Sequence, residues 1–250
     1  MTTERTEIQY RECATAEQLG ECVQLQRDVF ALPEIEISPV RHFIVTRNAG
    51  GFTLGAFAGE RLVGFVLSVP AFLRGERAFY SHMTAVARDF QSYGIGASLK
   101  WAQRERALEL GVKFIKWTFQ PVLARNAYFN LEKLGAIVRH YEPNFYGTDY
   151  PVGPGQDGSQ GLDSDRLFAE WHLESAKVTA LSARATFVEN AGPAQRISIP
   201  ADWNGLLATD IGEAIKRQNE AKSEFQAAFE SGLTARGFDR DASQYLLYSE

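Results

Sequence analysis

With 250 residues, 45% of them hydrophobic, the chain can bury a sizeable core as one large domain or two small ones. A formal net charge of -5 and the lack of any lysine or arginine block exclude the electrostatic footprint of a nucleic-acid binder. The start "MTTERTEIQY" has no apolar signal-peptide core, and no apolar run is long enough to span a bilayer, so the expectation is a soluble, cytoplasmic protein with no membrane partner. Cys13 and Cys22, with no CxxC or Cys/His cluster near them, speak against a disulfide framework and a zinc site.

In chain order, "EIQYREC" reads as a first strand and Thr15 to Phe30 as a helix carrying Leu19, Val23, Leu25 and Val29. "SPVRHFIVTRN" reads as a second, shorter helix. "FTLGAFAG" and "RLVGFVLSVP", joined by Gly59 and Glu60, give a hairpin signal, and "RAFYSHMTAV" follows the charged turn "LRGER" as the next strand of a meander. The period then changes. From Ile95, the residues Leu99, Trp101, Ala102 and Leu108 form an apolar stripe at helical spacing, and Gly111 falls at the C′ position. "VKFIKWTFQPV" predicts a strand, "RNAYFNLEKLG" a helix ending in Gly135, and "AIVRHYEPNFYG" another strand.

A stretch rich in Gly, Pro and Asp, residues 148–165, reads as a linker or mobile loop between a core over 1–147 and a C-terminal α+β extension over 166–250. In the extension, "RLFAEWHL", "RISIP", "LTARGF" and "QYLLY" are short strand candidates around one strong helix. That helix starts at Asp210 with Glu213 in the capping-box position and carries Ile211, Ile215, Phe225 and Phe229. Its apolar stripe is expected to pack on the core sheet or on a second subunit, which leaves a homodimer open. The layout as a whole is mixed α/β.

Function is concentrated in "QSYGIG", Gln91 to Gly96, between a predicted strand and a predicted helix. Glycine lets backbone N–H groups approach a ligand with no Cβ in the way, and a helix N-terminus favours an anion, so the stretch reads as a pyrophosphate cradle. A P-loop would need Gly-Lys-Ser/Thr, but Ala97 and Ser98 follow Gly96. A dinucleotide fingerprint would need a small residue at Leu99 and an acid in "FIKWTFQ", and has neither.

The pattern that remains, Gln/Arg-x-x-Gly-x-Gly/Ala directly after a strand, resembles the acetyl-CoA loop of the GNAT superfamily of N-acetyltransferases. "MTAVARDFQSYGIGASLKWAQRERALELGVKFIKWTFQP" is similar to that family's motif A, and "ARNAYFNLEKLGA" to its motif B. The chain as a whole also resembles a less studied subgroup of predicted acetyltransferases. The resemblance implies a splayed central mixed sheet flanked by helices, with coenzyme A entering between the fourth and fifth strands. It implies that backbone groups of Ala85 and Val86 face the pantetheine and that the N–H groups of Gln91, Ser92, Tyr93, Gly94, Ile95, Gly96 and Ala97 take the pyrophosphate. The shifted spacing of motif B leaves Asn126 or Asn130 in the place of the family asparagine, and Asn126 is the one assigned to the cofactor.

The implied activity is transfer of an acetyl group from acetyl-CoA to the amine of a small, amino-acid-like molecule, with no metal; succinyl-CoA as donor, or a non-catalytic acyl-CoA sensor, are the alternatives. The family often places a tyrosine directly before "EKLG" to protonate the departing thiolate, where this chain has Leu131. Tyr128, three residues earlier and expected on nearly the same helix face, is the candidate acid. His82 is the candidate base, because alternation along "YSHMTAV" sets it on the face of Thr84 and Val86 and an unperturbed imidazole titrates near neutrality. Glu34, Glu36, Arg74 and Arg77 are weaker candidates for the acceptor pocket.

Overall fold

A computed structural model describes residues 7–30, 32–150 and 161–249. The fold is mixed α/β, and the chain divides into two compact units at Ile115/Lys116. This division falls within a strand and not at the Gly/Pro-rich stretch.

In the first unit, β1 (Ile8–Glu12), β2 (Phe52–Ala58), β3 (Arg61–Leu73) and β4 (Glu76–Val86) form an antiparallel meander in that order. Three helices accompany it: α1 (Ala16–Phe30), α2 (Val40–Asn48) and α3 (Ile95–Glu109). Their placement follows from the pleat of β3, where neighbouring residues point to opposite faces. Phe65 packs edge-on against Phe43 of α2 at 5.9 Å and joins a core with Leu19, Cys22, Val23 and Leu25 of α1. Gly64, its neighbour, lies under α3, and a Cβ there would stand 3.1 Å from Leu99 Cδ1 and 3.0 Å from the Ala85 carbonyl. The missing side chain therefore lets α3 settle on the sheet. Each Leu or Phe buried in this way contributes about 1.5–3 kcal/mol.

The charged residues of α3 do not all face solvent. Lys100 and Arg104 are buried, and Lys100 Nζ donates to Ser81 Oγ at 2.9 Å and to Gln103 Oε1 at 2.6 Å. Gln103 Nε2 in turn donates to Ser68 Oγ at 2.7 Å. Burial pushes the Lys100 amine well below its usual range.

The second unit holds β5 (Phe114–Phe119) from Lys116 onward, α4 (Ala124–Tyr128), β6 (Ile137–Glu142), β7 (Arg166–His172), α5 (Ala176–Ser182), β8 (Gln195–Ser198), α6 (Trp203–Thr209), α7 (Ile211–Glu230), β9 (Thr234–Asp239) and β10 (Gln244–Tyr248). Its strand order is β5-β7-β6-β9-β10-β8, with β6 antiparallel to both β7 and β9. The region expected to form the C-terminal extension starts with a strand paired to β6. The described flanks of the 148–165 stretch close as arms of one loop: Asp149 N donates to Leu162 O at 2.8 Å, and Gly161 N to Asp149 Oδ1 at 2.6 Å. Residues 151–160 lie outside the described residues.

The strong helix is α7, capped as expected by the Asp210 side chain, which accepts from Glu213 N at 2.9 Å. Its buried face is Ala214, Gln218, Ala221, Phe225 and Ala228, with Phe225 edge-on to Tyr245 at 4.9 Å. The short helices α5 and α6, which the sequence reading did not anticipate, are capped by Ser175 and Asp202.

Candidate functional site

The glycine loop starts where β4 ends, at Ala85 and Val86, paired with Phe65 and Gly64. A turn of 3-10 helix over Arg88–Phe90 follows, anchored by the ion pair of Asp89 with Arg61 at 2.8 Å. Gln91 turns its side chain back, donating to Val86 O at 3.0 Å, and its own N–H donates to Arg88 O at 3.4 Å. Gln91 therefore braces the loop with its side chain and spends its N–H inside it. Ser92 (φ 69°) and Gly94 (φ 83°) adopt the left-handed conformation, Tyr93 is exposed, and α3 begins at Ile95 with its apolar side chain in the core.

The first α3 hydrogen bond runs from Ser98 N to Gly94 O at 3.0 Å. The N–H groups of Ile95, Gly96 and Ala97 thus lead the helix without an intrahelical acceptor, and no side chain caps them. The helices α5, α6 and α7 each begin on a capping Ser or Asp, whereas α3, like α2 and α4, begins without a side-chain cap. A Cβ added at Gly96 would meet only Val86 Cγ2, at 3.8 Å, an ordinary contact. Protein packing does not demand glycine there. Open N–H groups at a positive helix end, beside a glycine that the fold does not need, fit an incoming phosphate.

His82 is exposed and sits at a break in the β3–β4 ladder: Ser68 pairs with Ser81 and Leu67 with Met83, leaving His82 with no residue opposite. Such a bulge resets the alternation of side chains. Met83 packs into the α1/α2 core, whereas Val86 is the side chain beneath Gly96 of α3. His82 therefore does not share the face of Thr84 and Val86, as strict alternation predicted. Its imidazole turns to the α2 side, where Nε2 lies 3.4 Å from Ser38 Oγ and the ring meets His42 edge-on at 5.4 Å. Desolvation by the surrounding protein, and next the His42 ring, depress its pKa from 6.5 to about 4. Ser38, His42 and Gln26, which hydrogen-bonds both backbone groups of Ser38, were not visible as candidates: no local pattern links residues 44 positions apart. Glu34 is taken by Arg27 at 3.0 Å, and Glu36 is exposed.

Motif B lies in the second unit. After Tyr128 the helix widens into a π-turn over Phe129–Lys133, which rotates the residues beyond it. Leu131 and Leu134 are fully buried, Glu132 Oε1 accepts from Phe238 N at 2.7 Å, and Asn130 Oδ1 accepts from Trp117 Nε1 at 3.2 Å. Asn130 is thus committed to the core, whereas the half-buried Asn126 has no side-chain hydrogen bond among the described residues. Tyr128 is half-buried, with Lys133 Nζ 5.3 Å and Arg240 Cζ 5.4 Å from its ring centroid. Among the described residues no group of three or more His, Cys, Asp or Glu could hold a metal ion, and no helix is long and apolar enough to cross a membrane.

Residues 19–135 match the model of the family described as Acetyltransferase (GNAT) family. No curated protein matches the chain in sequence. Solved structures with the same fold include the ribosomal-protein-S18-alanine N-acetyltransferase of Escherichia coli, 14% identical with a TM-score of 0.51, covering 74% of this chain and 99% of its own. The NatC complex bound to Gag peptide and CoA matches at 15% identity and a TM-score of 0.52, over 67% of this chain and 99% of the other. An aminoglycoside 6'-acetyltransferase type Ii matches at 18% identity and a TM-score of 0.51, over 68% and 98%.

Proposed function

We propose, on the premise of the match of residues 19–135 to the GNAT acetyltransferase family, that the protein is an N-acyltransferase carrying an acetyl group from acetyl-CoA to the amine of a small, amino-acid-like molecule. The observation that carries the reading is the uncapped start of α3 at Gly94 to Ala97, next to a Gly96 that packing does not require. The N–H groups of Ser92 to Ala97 take the pyrophosphate, Ala85 and Val86 offer backbone groups to the pantetheine, and Asn126 adds a side-chain amide. The named relatives of the same fold act on acceptors as different as a protein alanine and an aminoglycoside, so the small acceptor is argued from the sequence resemblance. Cytoplasmic action accords with the free thiols of Cys13 and Cys22.

The thioester brings an activated acyl group, and the residues supply position and proton handling. A base of pKa about 4 is poorly matched to a free alkylammonium, whose pKa is about 10. The ammonium therefore loses its first proton to water before the nitrogen attacks, and His82 acts later. Once the acceptor nitrogen has bonded to the carbonyl carbon, it becomes a strong acid and gives its proton to the neutral imidazole. The carbon–sulfur bond then breaks, and the Tyr128 hydroxyl protonates the leaving thiolate.

The test combines the protein with acetyl-CoA and a panel of amines while free thiol is followed. Thiol release that depends on one amine class supports the reading; binding of coenzyme A with no release across the panel points to a sensor. With an acceptor in hand, His82→Gln should lower kcat/KM by about 10²-fold. An intact rate in that variant would leave proton removal to water.

A further inference from the structure

We propose that Gln26 and Ser38 are positioning residues that hold His82 with its proton on Nε2, leaving Nδ1 to receive the proton of the acceptor nitrogen. The inference rests on the reading of His82 as the base.

Gln26 lies on α1 and is 1% exposed. A primary amide buried so deeply is costly unless both its ends are satisfied. Here both ends go to one residue: Gln26 Nε2 donates to Ser38 O at 3.1 Å, and Ser38 N donates to Gln26 Oε1 at 3.0 Å. A core side chain of α1 thus clamps a single loop residue by its backbone. Pro33 and Pro39 stiffen the same loop, and Pro39 leads directly into α2. The one group of Ser38 left to act outward is Oγ, and it lies 3.4 Å from His82 Nε2. That distance is long for a hydrogen bond, as catalytic contacts often are before substrate tightens them.

The bulge completes the arrangement. Because His82 has no partner across the ladder, its ring is aimed by what it touches, namely Ser38 on one side and His42 on another. His42 is the titratable neighbour on that face, while the adjacent Ser81 points to Lys100 on the opposite face of β4. Two hydroxyl arrangements exist for Ser38. If its O–H donated to Nε2, the hydroxyl would have to turn away when the ring takes a proton. If Nε2–H donates to Oγ, the same contact serves the neutral ring and the imidazolium, so proton transfer to Nδ1 needs no rearrangement.

The experiment is a long-range 1H–15N spectrum of the whole protein, with the His82 signals identified by their loss in His82→Gln. The Nε2–H tautomer is expected in the wild type, and a tautomer mixture in Ser38→Ala and Gln26→Met. Ser38→Thr, which keeps the hydroxyl, should restore the single form. With an acceptor amine, Ser38→Ala and Gln26→Met should lose about 10- to 100-fold in kcat while the Kd for coenzyme A stays put. An Nδ1–H tautomer in the wild type, or an unaltered tautomer and rate in Ser38→Ala, would overturn the inference even if Gln26→Met fails to fold. A held Nε2–H tautomer together with full activity in His82→Gln would instead remove the base assignment, and the positioning role with it.

Discussion

At Gly94 the backbone has a φ of 83°, a conformation that any side chain would strain, whereas at Gly96 the helix is ordinary and a Cβ would make only an ordinary contact. The two glycines therefore give different experiments. Gly96→Val should fold, because the added Cβ makes only an ordinary contact with Val86, and it should raise the Kd for coenzyme A more than about tenfold by blocking the approach to the N–H groups. Calorimetric titration of the folded variant checks this, and unchanged affinity would refute the cradle. The cradle was legible in the sequence because every part of it lies within a few residues. The surroundings of His82 were not, since the bulge that turns its ring follows from pairing with β3 and not from the strand's own residues. Lys100 lies in a mixed-charge stretch of α3, yet it is buried, with its amine on Ser81 of β4. Its folded pKa lies well below the ordinary lysine value of 10.5, so between those two limits the unfolded chain binds a proton that the folded one does not. Stability should then rise with pH across that window. Melting temperatures from pH 7 to 9.5 should climb less steeply in Lys100→Met than in the wild type, and parallel curves would contradict the buried neutral amine.

Among the elements, α4 shows how a motif can be read correctly by residue and wrongly by face. The letters of "EKLG" are those expected, but the π-turn at Phe129–Lys133 changes the angle between Tyr128 and Leu131, so their three-residue spacing does not put them on one face. Leu131 is fully buried and Tyr128 is not. Leu131→Tyr, which restores the family's usual residue, should accordingly overpack the core, cost about 1–3 kcal/mol of stability and leave kcat no higher. Tyr128→Phe should keep stability and lower kcat. Denaturant melts alongside steady-state rates separate the two, and a faster Leu131→Tyr enzyme would return the acid to the family position. In α7 the sequence reading found the helix, its cap and the buried Phe225, but not the rest of the buried face. Ile211 is exposed, while three alanines and Gln218 line the buried face, because small side chains let the helix approach the sheet and Gln218 Nε2 can reach Asp165 Oδ2 at 2.9 Å. The short helices α5 and α6 span too few residues to display a period, so only their caps could have announced them.

At the scale of the molecule, the Gly/Pro-rich stretch invites a cut that the fold resists. A chain ending at Gly147 keeps the cradle, His82 and motif B, and on the sequence alone it looks like a complete core. In the second unit, however, β7 lies between β5 and β6 in the strand order, and β9 flanks β6 on its other side. Removing them strips the partners from both edges of β6. It also deletes Trp171, which is fully buried, meets Trp117 edge-on at 5.9 Å and donates to Leu134 O at 2.7 Å. Glu132 loses the Phe238 N–H that its carboxylate accepts from, and Gly135 loses α5, which packs 3.1 Å from where its Cβ would be. Two naked strand edges and an opened tryptophan core favour association over a folded monomer. The truncated chain should therefore aggregate, or lose its cooperative thermal transition and the near-ultraviolet signal of its tryptophans. Sedimentation together with circular dichroism reads both outcomes. A monomeric fragment that melts cooperatively and still releases thiol at the rate of the whole chain would mean that the last hundred residues stabilise nothing in motif B.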